Sequence, residues 1–277
     1  METFFASIPI LVLIVLMGVF KVAGDKSSII TLLITAFLAI LAFHSPVPDT
    51  VNSFLYGMLK ALVPILFIIL MAIYSYNVLL QTKKIEVLKQ QFSSISTDKS
   101  VQVLLITWGF GGLLEGMAGF GTAVAIPAAI LISLGFRPVF SALVSLIANS
   151  VPTAFGAVGV PVIVLAQETG LPVIPLSTAV VLQLSVLMLL VPLVIAFLAD
   201  PRMKALPKNL LLSLLVGGVS LATQYLAARY IGAETPAIVG AIASIIVIVV
   251  IGKLTGKGGE KTITMTYSGG EVFRAWA

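Results

Sequence analysis

Cysteine is absent from the 277 residues, and there is a single histidine, His44. The chain therefore has no disulfide, no thiolate metal centre and no thiol redox chemistry. One histidine cannot assemble a metal cluster, and no metal or cofactor is expected. Charge is scarce too, with only 10% of residues charged. A soluble domain of this length needs far more polar surface. No GxGxxG or P-loop pattern occurs, which argues against a nucleotide site. HExxH, paired intramembrane aspartates and a Ser/His pair are missing as well, so a membrane-embedded enzyme has no support. The net charge of +5 comes from basic residues set singly or in pairs between apolar runs. That pattern suits membrane orientation better than a nucleic-acid partner.

What fills the chain is apolar: 59% hydrophobic, with mean hydropathy +1.16. The runs are long and continuous rather than alternating, which excludes a porin-like barrel. The fold class this predicts is an all-α polytopic membrane protein embedded in a lipid bilayer. It has about seven transmembrane helices, one re-entrant helical hairpin and one broken helix. Spans fall at about 4–20, 28–43, 59–80, 174–198, 210–228 and 236–251, with the hairpin at 100–136 and the broken span at 138–167. Residues 52–60 are short enough to lie at the interface. Ile85, Leu88, Phe92 and Ile95 recur at helical spacing among lysines, as in a helix lying on the membrane surface. Residues 1–252 then form the membrane part and 253–277 a polar cytoplasmic tail. The first span has no basic residue before it and no cleavage signal, so it is expected to be retained. With the N-terminus outside, the inside loops hold fourteen lysines and arginines, and only Lys60 and Arg229 fall outside. Such a bias fixes orientation. Single cysteines at Ser94, Ser141 and Thr235 would report it.

The segment that organises the rest is 100–136. Its centre reads Trp108-Gly-Phe-Gly-Gly-Leu-Leu-Glu-Gly-Met-Ala-Gly-Phe-Gly121. Each arm has roughly 15 residues, about 22 Å as helix, against a hydrocarbon core of about 30 Å. A hairpin whose tip stops near mid-membrane follows from those lengths. Unwound backbone at that depth must be buried in protein or line a cavity. Glu115 is the acidic residue deep in an apolar run. Placing it there costs about 2.5–3.5 kcal/mol on insertion scales. Burial disfavours a carboxylate's charged form, so one reading is a proton-coupling site. The other is a structural carboxyl bonded to hairpin amides. Gly112 and Gly116 form a GxxxG pair that helix packing explains. Packing does not explain why Gly119, Phe120, Gly121 and Thr122 open a new helix. A half-helix N-terminus at that point offers free N–H groups to an anion. Asn149, Ser150 and Thr153 sit at the second break, where they either bind a ligand or cap the broken helix. Gln183, Ser185 and Gln224 are weaker candidates, and His44 and Glu168 belong to the interface.

Four blocks then carry a resemblance. They are Gly111-Gly-Leu-Leu-Glu-Gly-Met-Ala-Gly-Phe-Gly-Thr-Ala-Val-Ala-Ile-Pro127, Gly135-Phe-Arg-Pro138, Asn149-Ser-Val-Pro-Thr-Ala-Phe-Gly-Ala-Val-Gly-Val-Pro161 and Gln167-Glu-Thr-Gly170. Together they closely resemble the L-lactate permease family. The resemblance implies proton-coupled import of lactate, and in some members glycolate, across a bacterial plasma membrane. The partners it implies are L-lactate or a related monocarboxylate, and protons. It places Glu115, the 119–122 turn and 149–153 in site-forming regions. Family members are about twice this length. The expectation is thus an N-terminal half, missing a C-terminal half, of an inverted-repeat transporter. The alternatives are a carrier of another organic anion, a Na⁺-coupled carboxylate carrier or an anion channel.

Overall fold

The computed structural model describes residues 2–67, 70, 71, 74, 77, 78, 81, 82, 84, 87, 91, 95–119, 121–255, 269 and 270. Among these there is no strand. The chain divides into two units, residues 1–67 and 68–277.

The first unit holds α1 (Glu2–Gly18), α2 (Gly24–Leu41) and α3 (Val47–Lys60). The link from α2 to α3 carries Pro46 and Pro48, which cannot extend a helix and instead open the next one. Past Lys60 the helix widens into a π-helical turn, Ala61–Leu66, with Val63 extended at φ −132°. Val63 precedes Pro64, and proline pushes its predecessor out of helical space.

The second unit carries the core. Its elements are α4 (Lys99–Met117), α5 (Thr122–Ser133), α6 (Pro138–Asn149), a 3₁₀ turn (Pro152–Phe155), α7 (Gly156–Thr169), α8 (Val173–Ala199), α9 (Leu206–Tyr230) and α10 (Pro236–Thr255). Helix α4 is the centre: Val101, Val103, Leu104, Leu105 and Ile106 are all at most 1% exposed. Close approach on its α10 side comes from small residues. A Cβ at Gly109 would lie 2.7 Å from Ile245, at Gly112 3.5 Å from Ala241 and at Gly116 3.0 Å from Ile238 N. The order runs backward along α10, so the two helices are antiparallel and nearly touch. Gly217 of α9 meets the Met188 carbonyl of α8 in the same way, 2.5 Å from a notional Cβ. Small residues at such crossings replace the hydrophobic drive that lipid removes.

A polar clasp ties α4, α8 and α9 at one end. Asp98 caps α4 by accepting from Ser100 N and Val101 N, and pairs with Lys208. Ser100 Oγ and Asn209 Nδ2 both donate to the Ala196 carbonyl, at 3.2 Å each. Asp200 accepts two guanidinium hydrogen bonds from Arg202, at 2.8 and 2.7 Å, which hold its carboxyl down to about 2.

The expected span pattern holds only in part. Among the described residues, five helical stretches are long and apolar enough to cross a membrane: Gly24–Leu41, Lys99–Met117, Val173–Ala199, Met203–Tyr230 and Pro236–Leu254. The pair α6–α7, bent by 53°, would make a sixth. Phe4–Gly18 is apolar but shorter. Part of the expected third span, residues 59–80, lies outside the described residues, as do Ile85, Leu88 and Phe92 of the surface helix and most of the tail. The hairpin is also less symmetric than its sequence suggests. Its first arm runs 19 residues, widening to a π-helical stretch at Leu105–Phe110, and its second runs 12.

Orientation has a direct check in this unit. Ser94 lies outside the described residues, Ser141 is fully buried and the Thr235 hydroxyl is enclosed, so better labelling positions are Lys204 and Glu234, both exposed. In this cysteine-free chain, Glu234→Cys is expected to react with an impermeant maleimide added outside the cell. Lys204→Cys should react only with a permeant one. The reverse pattern would overturn the orientation.

Candidate functional site

Both helix breaks meet around one carboxylate. Glu115, in the last turn of α4, is 3% exposed. Two residues after it the helix ends, and the chain turns through Gly119 at φ +62° and Gly121 at φ +87°. These left-handed values suit glycine, which has no Cβ to clash. Thr122 closes the turn, its Oγ1 donating to the Gly119 carbonyl at 2.8 Å. Helix α5 starts there.

The second break is more strained. Ala157, Val158 and Gly159 are all left-handed, at φ +47°, +59° and +77°. For a β-branched residue such as Val158 that conformation is a true outlier. Strain of this kind costs about 1–3 kcal/mol per residue and persists only where surroundings enforce it. Here they do. A Cβ on Gly119 would lie 3.1 Å from Ala157 N, and one on Gly159 would strike the Ala233 carbonyl in the α9–α10 turn. Gly156 lies against Glu115 itself, its missing Cβ replaced by the carboxylate Oε1.

Asn149 and Thr153 turn their side chains toward the Glu115 carboxylate. They also bond each other: Asn149 Nδ2 donates to Thr153 Oγ1 at 3.0 Å, and Thr153 Oγ1 donates to the Asn149 carbonyl at 2.5 Å. Glu115 Oε2 and Asn149 Oδ1 have no hydrogen-bond partner among the described residues. Thr153 is exposed and Asn149 half-buried, so the carboxylate sits behind a polar rim open on one side.

Glu115, Gly119, Asn149 and Thr153 thus come together, with Thr122 bracing the first turn. Ser150 does not join them: it is exposed and donates to the Ile147 carbonyl at 2.7 Å, as a helix cap would. Gly121 sets the turn by its conformation alone, since nothing lies within 4 Å of a notional Cβ. Close approach falls to Gly119 instead. Phe120 lies outside the described residues. Sequence reasoning missed Gly156 and Gly159 as contact points. Gln224 does not join the site: it is 3% exposed, receives Gly240 into its flank and donates to Ser220 Oγ at 2.9 Å. Gly240 stands sixteen residues from Gln224, and nothing local marks the pair.

A family model described as L-lactate permease matches residues 2–277. The chain belongs to the L-lactate permease family. It is 41% identical over 257 residues to an L-lactate permease of Streptococcus iniae, which covers 93% of this chain and 54% of that protein. To the glycolate permease GlcA of Escherichia coli it is 36% identical, covering 96% of this chain and 48% of the relative. An L-lactate permease of Bacillus subtilis is 33% identical, with 98% and 51% covered. The chain spans about half the length of the curated relatives it matches. These relatives are permeases, not enzymes. No solved structure matches the fold.

Proposed function

We propose that this chain takes part in secondary-active transport of L-lactate and similar small 2-hydroxy monocarboxylates across the bacterial plasma membrane, by proton symport. One observation carries the reading. A buried carboxylate stands at the meeting point of two helix breaks, with one oxygen unpartnered and the Asn149 and Thr153 side chains turned toward it. A proton on Glu115 would remove the charge from this buried oxygen. A buried acceptor left alone costs about 1–3 kcal/mol. Neutralised in that way, Glu115 would not repel an arriving anion. The turn through Gly119, Gly121 and Thr122 would offer the amide end of α5 to the solute. Asn149 and Thr153 contribute polar side chains, while Ser150 helps hold the break. The half-length coverage fits one half of an inverted-repeat carrier, in which the solute passes between halves.

The assay uses a chimera in which this chain replaces the matching segment of the Streptococcus iniae permease. Cells without their own lactate carriers should then accumulate labelled L-lactate, and a proton ionophore should abolish accumulation. Uptake that follows a sodium gradient instead would sink the proton reading. Conductance without concentration would point to a channel. Asn149→Ala and Thr153→Ala are expected to raise the half-saturating lactate concentration about tenfold, the equivalent of losing one hydrogen bond to a charged group. Protein level should change little. Equal losses of protein and activity would assign both residues to capping alone.

A further inference from the structure

At the end of the second unit that carries the clasp, an apolar groove of about 200 Å³ opens between α4, α9 and α10. Val101, Leu211, Leu215, Ile251 and Leu254 line it, and Lys208 stands at its rim. Its walls are uncovered: Leu254 is 80% exposed, Leu211 62% and Leu215 44%. The same end gathers Lys99, Arg202, Lys204, Lys208 and Lys253. Lys99 opens α4 two residues before Val101, and Lys253 separates Leu254 from Gly252, whose notional Cβ would meet Val101 at 3.1 Å. The described acids here are Asp98 and Asp200, and each is taken, by Lys208 and Arg202 respectively. Lys99, Lys204 and Lys253 are exposed and make no ion pair among the described residues. A greasy slot beneath a cationic rim calls for a molecule with an acyl chain and a negative head.

We propose that this groove binds an anionic membrane phospholipid, with one acyl chain in the slot and the headgroup phosphate among Lys99, Lys204 and Lys253. Charge complementarity chooses the occupant. A second copy of the chain would bring the same basic cluster against itself. A zwitterionic lipid would leave the rim uncompensated. Basic pockets between membrane helices on the cytoplasmic side recognise anionic headgroups in this manner. The inference is independent of the solute carried, since no residue of the Glu115 site contributes to the groove.

Native mass spectrometry of the purified 277-residue protein tests it, with phosphatidylglycerol and phosphatidylcholine of identical acyl chains. Phosphatidylglycerol is expected to be retained about tenfold more strongly. Each lysine near an anionic headgroup is worth about fivefold in binding, so Lys204→Gln with Lys253→Gln should erase most of that preference while leaving the core untouched. Leu215→Trp fills the slot without changing charge and should weaken retention of both lipids. Equal retention of the two lipids, no response to the paired lysine change, or a doubled mass in place of bound lipid would each overturn the proposal.

Discussion

In the chimera, Glu115→Gln is expected to lose uphill accumulation of L-lactate, down to the level seen with a proton ionophore, while exchange of labelled for unlabelled lactate persists. The amide has the shape of the protonated acid and keeps the contact with Gly156, where no Cβ intervenes. The resting arrangement of the two breaks should therefore survive, and with it the passage of solute down its gradient. What the amide cannot do is release and take up a proton in each cycle. Two further variants sharpen the outcome. Glu115→Asp keeps a titratable group but withdraws it from Gly156, so partial coupling should remain. Glu115→Leu removes every polar contact with Asn149 and Thr153, and both exchange and accumulation should fall. If Glu115→Gln accumulates lactate normally under an imposed proton gradient, the carboxylate is structural and the symport assignment fails.

Much of this site was legible in the sequence because its signals are local. Glycines at 119 and 121 mark a turn, and a glutamate in an apolar run marks a group that needs a partner. Asn149 and Thr153 stand four residues apart, which places them on one helical face. The errors come from contacts that join distant segments. The spacing of Gly112 and Gly116 marks a packing pair but not its partner, α10, which is far away in sequence. Gly121 has nothing near it, and the close approach belongs to Gly119, against Ala157. Ser150 shares the break with Asn149 and points elsewhere, which a half-turn of backbone decides and composition does not. The left-handed Ala157 and Val158 were invisible for a similar reason. Neither residue prefers that conformation, and the segment lies between Gly119, against Ala157, and the Ala233 carbonyl, against Gly159.

Gly156 offers the sharpest separation of site from scaffold, because its backbone is ordinary. At φ −64° and ψ 160° any residue is comfortable, so Gly156→Ala adds no backbone strain. The added methyl would instead land on Glu115 Oε1 and lie 3.2 Å from Cδ. Overpacking of that kind costs about 1–3 kcal/mol. Gly156→Ala is expected to abolish lactate uptake in the chimera and to lower the thermal midpoint of the purified protein. Gly218→Ala serves as the control. It sits within α9 with nothing within 4 Å of its Cβ position, and it should leave both quantities unchanged. The decisive measurement is a double-mutant cycle on thermal stability. If the cost of Gly156→Ala arises at the carboxylate, it should vanish in a Glu115→Ala background, where the side chain no longer reaches. Residues in contact show coupling of about 0.5–3 kcal/mol, whereas independent sites add. Additive effects of Gly156→Ala and Glu115→Ala would mean that the two breaks do not meet at Glu115, and the site as described would be wrong.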